Sequence, residues 1–216
     1  VRENHRLFIP DSIFVLPFKI TTSSGKGGIP DGFAFNLSDR EWHLIECELL
    51  RHGVWPHIAE QITRFVVALQ NQSTLRMIRD KLFEQILACG DLDKAAQELG
   101  TTRDRFLQEL ELFIETVRPG IVIVIDETNQ DLTDFAHAID LPTRIYRVKK
   151  LISDGKAQYY SPDQRPVIET EPVTEEGAGD AALKVLDLLG GGKLVESSGR
   201  FRCYVRRRKL ADRIKR

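Results

Sequence analysis

The residues best suited to do chemistry lie between residues 27 and 64, in GGIPDGFAFNLSDREWHLIECELLRHGVWPHIAEQITR. Asp31 follows Pro30 at the head of a strand-like run, and a second extended run, Trp42–Leu49, carries Glu46 and Glu48 one residue apart. Side chains alternate along a strand, so Glu46 and Glu48 share one face while Ile45, Cys47 and Leu49 share the other. If Asp31 sits on the neighbouring strand of a hairpin, three carboxylates converge on one side of it. Oxygen ligands of that kind suit a hard divalent cation such as Mg²⁺ or Mn²⁺. Asp31 and Glu46 are the expected ligands, with the backbone carbonyl of Cys47 and the carboxylate of Glu48 as further ones. Such an ion stabilises the charge that builds up when a phosphodiester is hydrolysed, and it activates the attacking water. The competing reading is that both glutamates lie on the exposed face of an edge hairpin.

Downstream, a helix starting near Pro56 and running to about residue 71 places His57, Gln61 and Arg64 on one polar stripe. His57 reads either as a proton shuttle or phosphate contact, or as a hydrogen-bonding partner of Glu60, Gln61 or the backbone. Arg64 would hold a phosphate through its two-pronged guanidinium if it faces the cleft; a surface ion pair is the alternative. Arg51 and His52 fall in a turn, and His52 is expected to face solvent.

The arrangement of Pro30-Asp31, then Glu46-Cys47-Glu48 on an apolar strand, then a helix, resembles the PD-(D/E)xK nuclease superfamily. In that superfamily the third motif position is usually lysine; here it is Glu48, a substitution that some of its restriction endonucleases share. The resemblance covers about residues 13–70 and, more loosely, 120–151. It implies a restriction-endonuclease-like α/β fold, a mixed central sheet flanked by helices. It also implies Mg²⁺- or Mn²⁺-dependent cleavage of DNA in a restriction, repair or defence setting. By the same resemblance Gln61 is the polar helix residue that lines the cleft. Glu3 is the early candidate for the glutamate that many members carry on a helix ahead of the sheet.

The elements that must position these residues can be read in order. Phe14–Lys19 alternates weakly as a strand, and TTSSGKGG at 21–28 is a turn or loop that lacks the spacing and the ending of a phosphate cradle. Gly32–Leu37 and Trp42–Leu49 form a hairpin around Ser38–Arg40. A helix over about 75–88 is expected to bury Leu75, Ile78, Leu82, Phe83, Ile86 and Leu87. The segment 90–110 has the form of a helix-turn-helix core. Thr101, Thr102, Arg103 and Arg105 would meet a DNA groove first. The acidic continuation Glu109, Glu111 and Glu115 opposes that, and a helical hairpin packed beside the sheet is the alternative. Gly120–Ile125 reads as a buried strand. Asp126 and Glu127 either cap the next turn or lie at the C-terminal sheet edge where α/β sites form, with no catalytic role assigned; a helix over 131–139 and a strand over 143–151 complete a right-handed β-α-β unit.

Residues 1–153 are thus expected to form one α/β domain with a helical insertion at about 74–117. Residues 154–178, rich in Pro, Gly and acids, read as a linker. Residues 179–216 read as a small basic region with a helix over 180–189 and a hairpin of 193–196 with 201–206.

Composition sets wider bounds. The chain of 216 residues has 42% hydrophobic and 29% charged residues, as ordinary globular domains do. Its formal net charge of −1 hides an asymmetry, since residues 200–216 hold nine Arg or Lys and one Asp. That end suits a polyanion, with Arg206, Arg207, Arg208 and Lys209 as backbone contacts. No apolar run is long enough to cross a bilayer, so no membrane partner is expected. The start VRENHRLFIP has no leader-like stretch and no initiator Met, which suggests a trimmed chain. Cys47, Cys89 and Cys203 make no zinc or disulfide pattern, so a reducing, cytoplasmic setting is the default. DNA is the expected partner, with a homodimer as one possible arrangement. Two rival functions remain: a non-catalytic DNA-binding or regulatory protein using residues 90–110, and a degenerate nuclease fold kept as a structural module.

Overall fold

The computed structural model describes residues 5–153, 156–160, 166–170, 192–197 and 200–205. Its centre is an α/β assembly, a mixed six-stranded sheet flanked by helices. In chain order the strands are β1 (Ile13–Val15), β2 (Ile20–Thr21), β3 (Gly27–Gly28), β4 (Gly32–Asn36), β5 (Glu41–Glu48), β6 (Gly120–Ile125), β7 (Thr143–Arg147), β8 (Lys149–Ser153), β9 (Lys156–Tyr160), β10 (Ile168–Thr170), β11 (Gly192–Ser197) and β12 (Arg200–Val205). The helices are α1 (Glu60–Ala68), α2 (Gln72–Cys89), α3 (Leu92–Glu98), α4 (Phe106–Thr116) and α5 (Gln130–Ala138). The main sheet runs β1-β4-β5-β6-β7-β10. β1, β4 and β5 form an antiparallel meander, β5-β6-β7 are parallel, and β10 closes the far edge antiparallel to β7.

Alternation divides the sheet's side chains between two apolar clusters. Phe33, Phe35, Trp42, Leu44, Ile121, Ile123, Ile125 and Ile145 join the cluster built with the helices. Ala34, Ile45, Val122, Val124 and Tyr146 point the other way, where Phe8 and Ile9 of the N-terminal segment cover them. The β-branched run of β6 is buried along its whole length, as a central parallel strand with both faces covered requires. Tyr146 anchors the N-terminal cover by donating its phenolic hydrogen to the carbonyl of Phe8 at 2.9 Å.

Several expectations are corrected. Phe14–Lys19 is not one strand: β1 stops at Val15 and the chain resumes as β2 beyond Pro17, which has no N–H for a ladder. The loop at 21–28 closes a two-residue ribbon in which β2 and β3 pair. Gly28 there lets the ribbon lie on α1, because a Cβ at that position would come within 2.6 Å of the Phe65 ring. The long strand expected over 143–151 breaks after Arg147, which pairs with Ile125, the last residue of β6; β8 turns away to pair with β9. The stretch 154–178 is not wholly linker, since it contains β9 and β10, and β10 extends the main sheet past residue 153. Three-residue β10 has too little sequence pattern to be seen alone. It forms because β7 offers a free edge and because Val167 and Ile168 pack on the core.

The helical insertion lies in the crossover between β5 and β6. Asn71 caps α2 by accepting from the Ser73 N–H, and Gly90 ends it in the left-handed region at φ 73°. α4 buries Phe106, Leu110, Phe113 and Ile114 and packs against α2, while α3 packs on α2 from its short side. α3, and α4 into which residues 90–110 lead, thus both pack on α2. The hairpin expected near the C-terminus is present as β11 with β12. The helix expected at 180–189 lies outside the described residues, as do Glu3 and the basic run Arg206, Arg207, Arg208 and Lys209. Among the described residues no helix is long and apolar enough to cross a membrane.

Candidate functional site

The β4-β5 register decides which side chains meet. Gly32 pairs with Ile45, so Asp31 stands one step on, opposite Glu46, on the face that also holds Phe33 and Leu44. Glu46 and Glu48 share that face, as alternation requires, while Ile45 and Cys47 belong to the opposite cluster. Neither glutamate is on an open edge: Glu46 is 3% and Glu48 8% exposed.

Two hydrogen bonds knit Asp31 to the strand. The N–H of Cys47 donates to Asp31 Oδ2 at 2.7 Å, and the N–H of Asp31 donates to Glu46 Oε2 at 3.2 Å. Gln61, one residue into α1, donates its amide to Glu46 Oε1. α1 thus brings Gln61 to the acidic strand. Burial, chiefly, pushes the Glu46 carboxyl up to about 8; the charge of Asp31 adds to this, the Asp31 N–H opposes it, and the charge of Glu48 adds again. Burial and the Asp31 charge push the Cys47 thiol up to about 12, so it is neither thiolate nor nucleophile near neutral pH.

Glu48 turns to different partners. His52 Nδ1 lies 3.0 Å from Glu48 Oε2 and His57 Nε2 lies 3.2 Å from Oε1, one imidazole for each oxygen. The two rings are nearly perpendicular, with centroids 5.3 Å apart. The Glu48 side chain is 5% exposed and the imidazoles 41% and 49%, so the histidines form the solvent side of the group. Among the described residues, Glu48, His52 and His57 are the one set of three whose candidate ligand atoms all lie within 4.8 Å of one another. The acidic groups are thus divided in two, an Asp31–Glu46 pair and a Glu48 group completed by imidazoles.

The local backbone explains how two histidines reach one carboxylate. After β5 the chain makes a 3₁₀ turn at Leu50–His52. Asp126, at the end of β6, fixes that turn by accepting from the N–H of Leu50 at 2.8 Å and from that of Glu127 at 3.0 Å. Gly53 then adopts φ 81°, and the chain enters a wide π-type turn, Val54–Ala59, before α1 begins. The Ile58 N–H reaches back five residues to the Gly53 carbonyl, and Pro56 sits in the turn without a donor of its own. Val54, Ile58 and Ala59 are buried, which anchors the turn and holds His57 over Glu48.

Gly53 is the hinge of this arrangement. An added Cβ would meet Pro56 Cγ at 2.9 Å, in a backbone region that L side chains rarely adopt. We expect Gly53→Ala to cost about 1–2 kcal/mol in a denaturant melt. A melt indistinguishable from wild type would show that the left-handed turn is not required.

The remaining expected residues are spread out. Arg51 is exposed on the turn next to the site. Arg64 forms an ion pair with Glu60 at 2.7 Å, and Arg103 one with Asp93 at 3.0 Å, while Arg105 is exposed. The acidic face of α4 is engaged in part, Glu111 pairing with Arg79 at 2.9 Å. His57 contacts Glu48, not the partners expected for a purely structural helix residue. His52 lies in the turn and is exposed, as expected, and it is in addition a direct neighbour of Glu48. The spacing Glu48-x3-His52-x4-His57 was visible, but only the two unusual turns make it a cluster. Comparison of the chain with family models, curated proteins and solved structures returned no match.

Proposed function

We propose that this protein is a metal-dependent DNA nuclease with a restriction-endonuclease-like core. The observation that carries this reading is the Asp31–Glu46 pair, bonded across a β-hairpin with Glu48 two residues on and on the same face. The order of parts supports it: a Pro-Asp at the head of a strand, an acidic strand beside it, and a helix that returns Gln61 to the acidic strand. So does a mixed sheet in which that hairpin is followed by two parallel strands.

The donor set fits a hard divalent ion. Asp31 and Glu46 are joined through the Asp31 N–H, and the repulsion that the Asp31 charge exerts on the buried Glu46 carboxyl is what a Mg²⁺ or Mn²⁺ would relieve. When bound there, such an ion supplies charge stabilisation to the phosphoryl oxygens and acidifies a water. The chain's own contribution is positioning. The Cys47 N–H fixes the Asp31 carboxylate, and the Gln61 amide and Asp31 N–H fix the two Glu46 oxygens, so both ligands are held before substrate arrives. The exposed Arg51, three residues beyond Glu48, and the basic C-terminal run would hold the DNA backbone through salt-sensitive contacts. Cys47 and Cys89 are free thiols, in keeping with a proposed reducing, cytoplasmic setting. A homodimer, one such site per strand, is part of the same proposal.

No specific observation favours the helix-turn-helix reading. The helix that would enter a groove buries Phe106, Leu110 and Phe113 inside the fold, and Arg103 is already paired.

The test is a Mg²⁺- and Mn²⁺-dependent cleavage assay on supercoiled and linear DNA. Wild type should cut, and Asp31→Ala and Glu46→Ala should each fall by about a hundredfold or more. Equal residual cleavage in all three proteins rejects the assignment.

A further inference from the structure

We propose that Glu48, His52 and His57 form a separate binding site for a borderline divalent transition metal of the Zn²⁺ and Co²⁺ class. This rests on the geometry of these three residues and does not require the nuclease reading.

The donor set differs from that of the Asp31–Glu46 pair. Two imidazole nitrogens and one carboxylate suit Zn²⁺, Co²⁺, Fe²⁺ or Ni²⁺ and are poor ligands for Mg²⁺, which favours oxygen. Three protein ligands also leave coordination positions open, as in catalytic sites. Spatially the group is close to assembled. His52 Nδ1 and His57 Nε2 lie 3.0 and 3.2 Å from different oxygens of one carboxylate, and all candidate ligand atoms fall within 4.8 Å. A small inward movement of the rings, both half-exposed, would let one ion replace the direct nitrogen–oxygen contacts.

The supports are rigid and the loop is short. Glu48 ends β5, and Leu50, two residues on, is fastened to Asp126. Val54 and Ile58 bury the second turn on either side of His57. All three ligands fall within a stretch of ten residues, so little chain entropy is lost in closing the site. The carboxylate is 5% exposed beneath the imidazoles, so an ion can enter from solvent without unpacking the core.

The alternative is that both histidines only hydrogen-bond to Glu48. The two readings part on metal binding, which displaces protons from imidazole. The experiment uses the full chain, untagged and stripped with EDTA. Co²⁺ is titrated by visible absorption, and Zn²⁺ by calorimetry in two buffers of different ionisation enthalpy. We expect one equivalent bound, proton release on binding, and no displacement by a large excess of Mg²⁺. His52→Ala and His57→Ala should each weaken Co²⁺ binding by at least about tenfold. His137→Ala, at an exposed histidine on α5, should leave it unchanged. Absence of binding by wild type overturns the proposal. So does an unaltered Co²⁺ spectrum in the folded double variant His52→Ala/His57→Ala. Stoichiometric Co²⁺ binding with no DNA cleavage would keep this site and reject the nuclease. Asp31-dependent cleavage in a protein that takes up no Co²⁺ would do the opposite.

Discussion

Glu46→Gln should make the protein markedly less sensitive to alkaline pH, in buffers free of divalent ions. The Glu46 carboxyl is raised from 4.5 to about 8 by burial and by the neighbouring charges of Asp31 and Glu48. A raised acid binds its proton more tightly in the folded chain than in the unfolded one. Folding therefore takes up a proton between these two values, and stability falls as pH rises through that window. Below about 4.5 the group costs nothing; above about 8 its whole cost is present. At about 1.4 kcal/mol per pH unit, the ceiling is on the order of 5 kcal/mol. Glutamine removes the charge and keeps one acceptor oxygen where Glu46 has two, so it can accept from the Asp31 N–H or from the Gln61 amide but not from both, at a cost of about 1 kcal/mol. The variant should thus be slightly weaker than wild type near pH 5 and clearly more stable near pH 8.5. Urea melts across this range check it. Parallel stability curves for the two proteins would show that Glu46 is already ionised and compensated in the fold, and the strain attributed to the acidic pair would have no basis.

The second large effect concerns the strand that carries the acids. Trp42 is 1% exposed, stacks on Phe35 at 5.8 Å between ring centroids, and donates its indole N–H to the Val117 carbonyl at 2.8 Å. That bond ties the start of β5 to the segment between α4 and β6. Trp42→Ala removes the largest fully buried side chain and leaves the Val117 acceptor without its partner. We expect a loss of about 4–5 kcal/mol, comparable with the whole stability of many domains. Trp42→Phe keeps most of the stacked area and loses the donor, so about 1–2 kcal/mol should be lost. Thermal or urea unfolding of both variants separates the terms. Equal losses in the two would mean that the hydrogen bond carries the effect; a negligible loss in Trp42→Ala would mean that the core repacks around the gap.

Much of this fold is legible in the sequence where a pattern is local and long. The alternating run of β5 put Glu46 and Glu48 on one face, and the β-branched run of β6 announced a buried strand. The apolar period of α2 announced a helix, and the glycine and threonines after α3 marked the turn between α3 and α4. These signals survive because side-chain direction follows from backbone period alone. Gln61 was also readable, since α1 is regular by the time it reaches that residue. Short elements were not. β2, β3 and β10 have two or three residues each and exist because a neighbouring edge or helix is there to receive them.

The sequence by itself determined that Glu46 and Glu48 would face one way. Only the tertiary structure decided what each of them faces. Asp31 and Glu46 were joined by the hairpin register, a long-range fact that one-residue slippage would have reversed. Glu48 was given to His52 and His57 by two turns, one fastened to Asp126 just past β6, the other opened by Gly53 and widened around Pro56. Neither turn has a period to read. Their shape comes from where β5 ends relative to β6 and from the burial of Val54 and Ile58, and it places two half-exposed imidazoles over a carboxylate that alternation alone had left facing the helices.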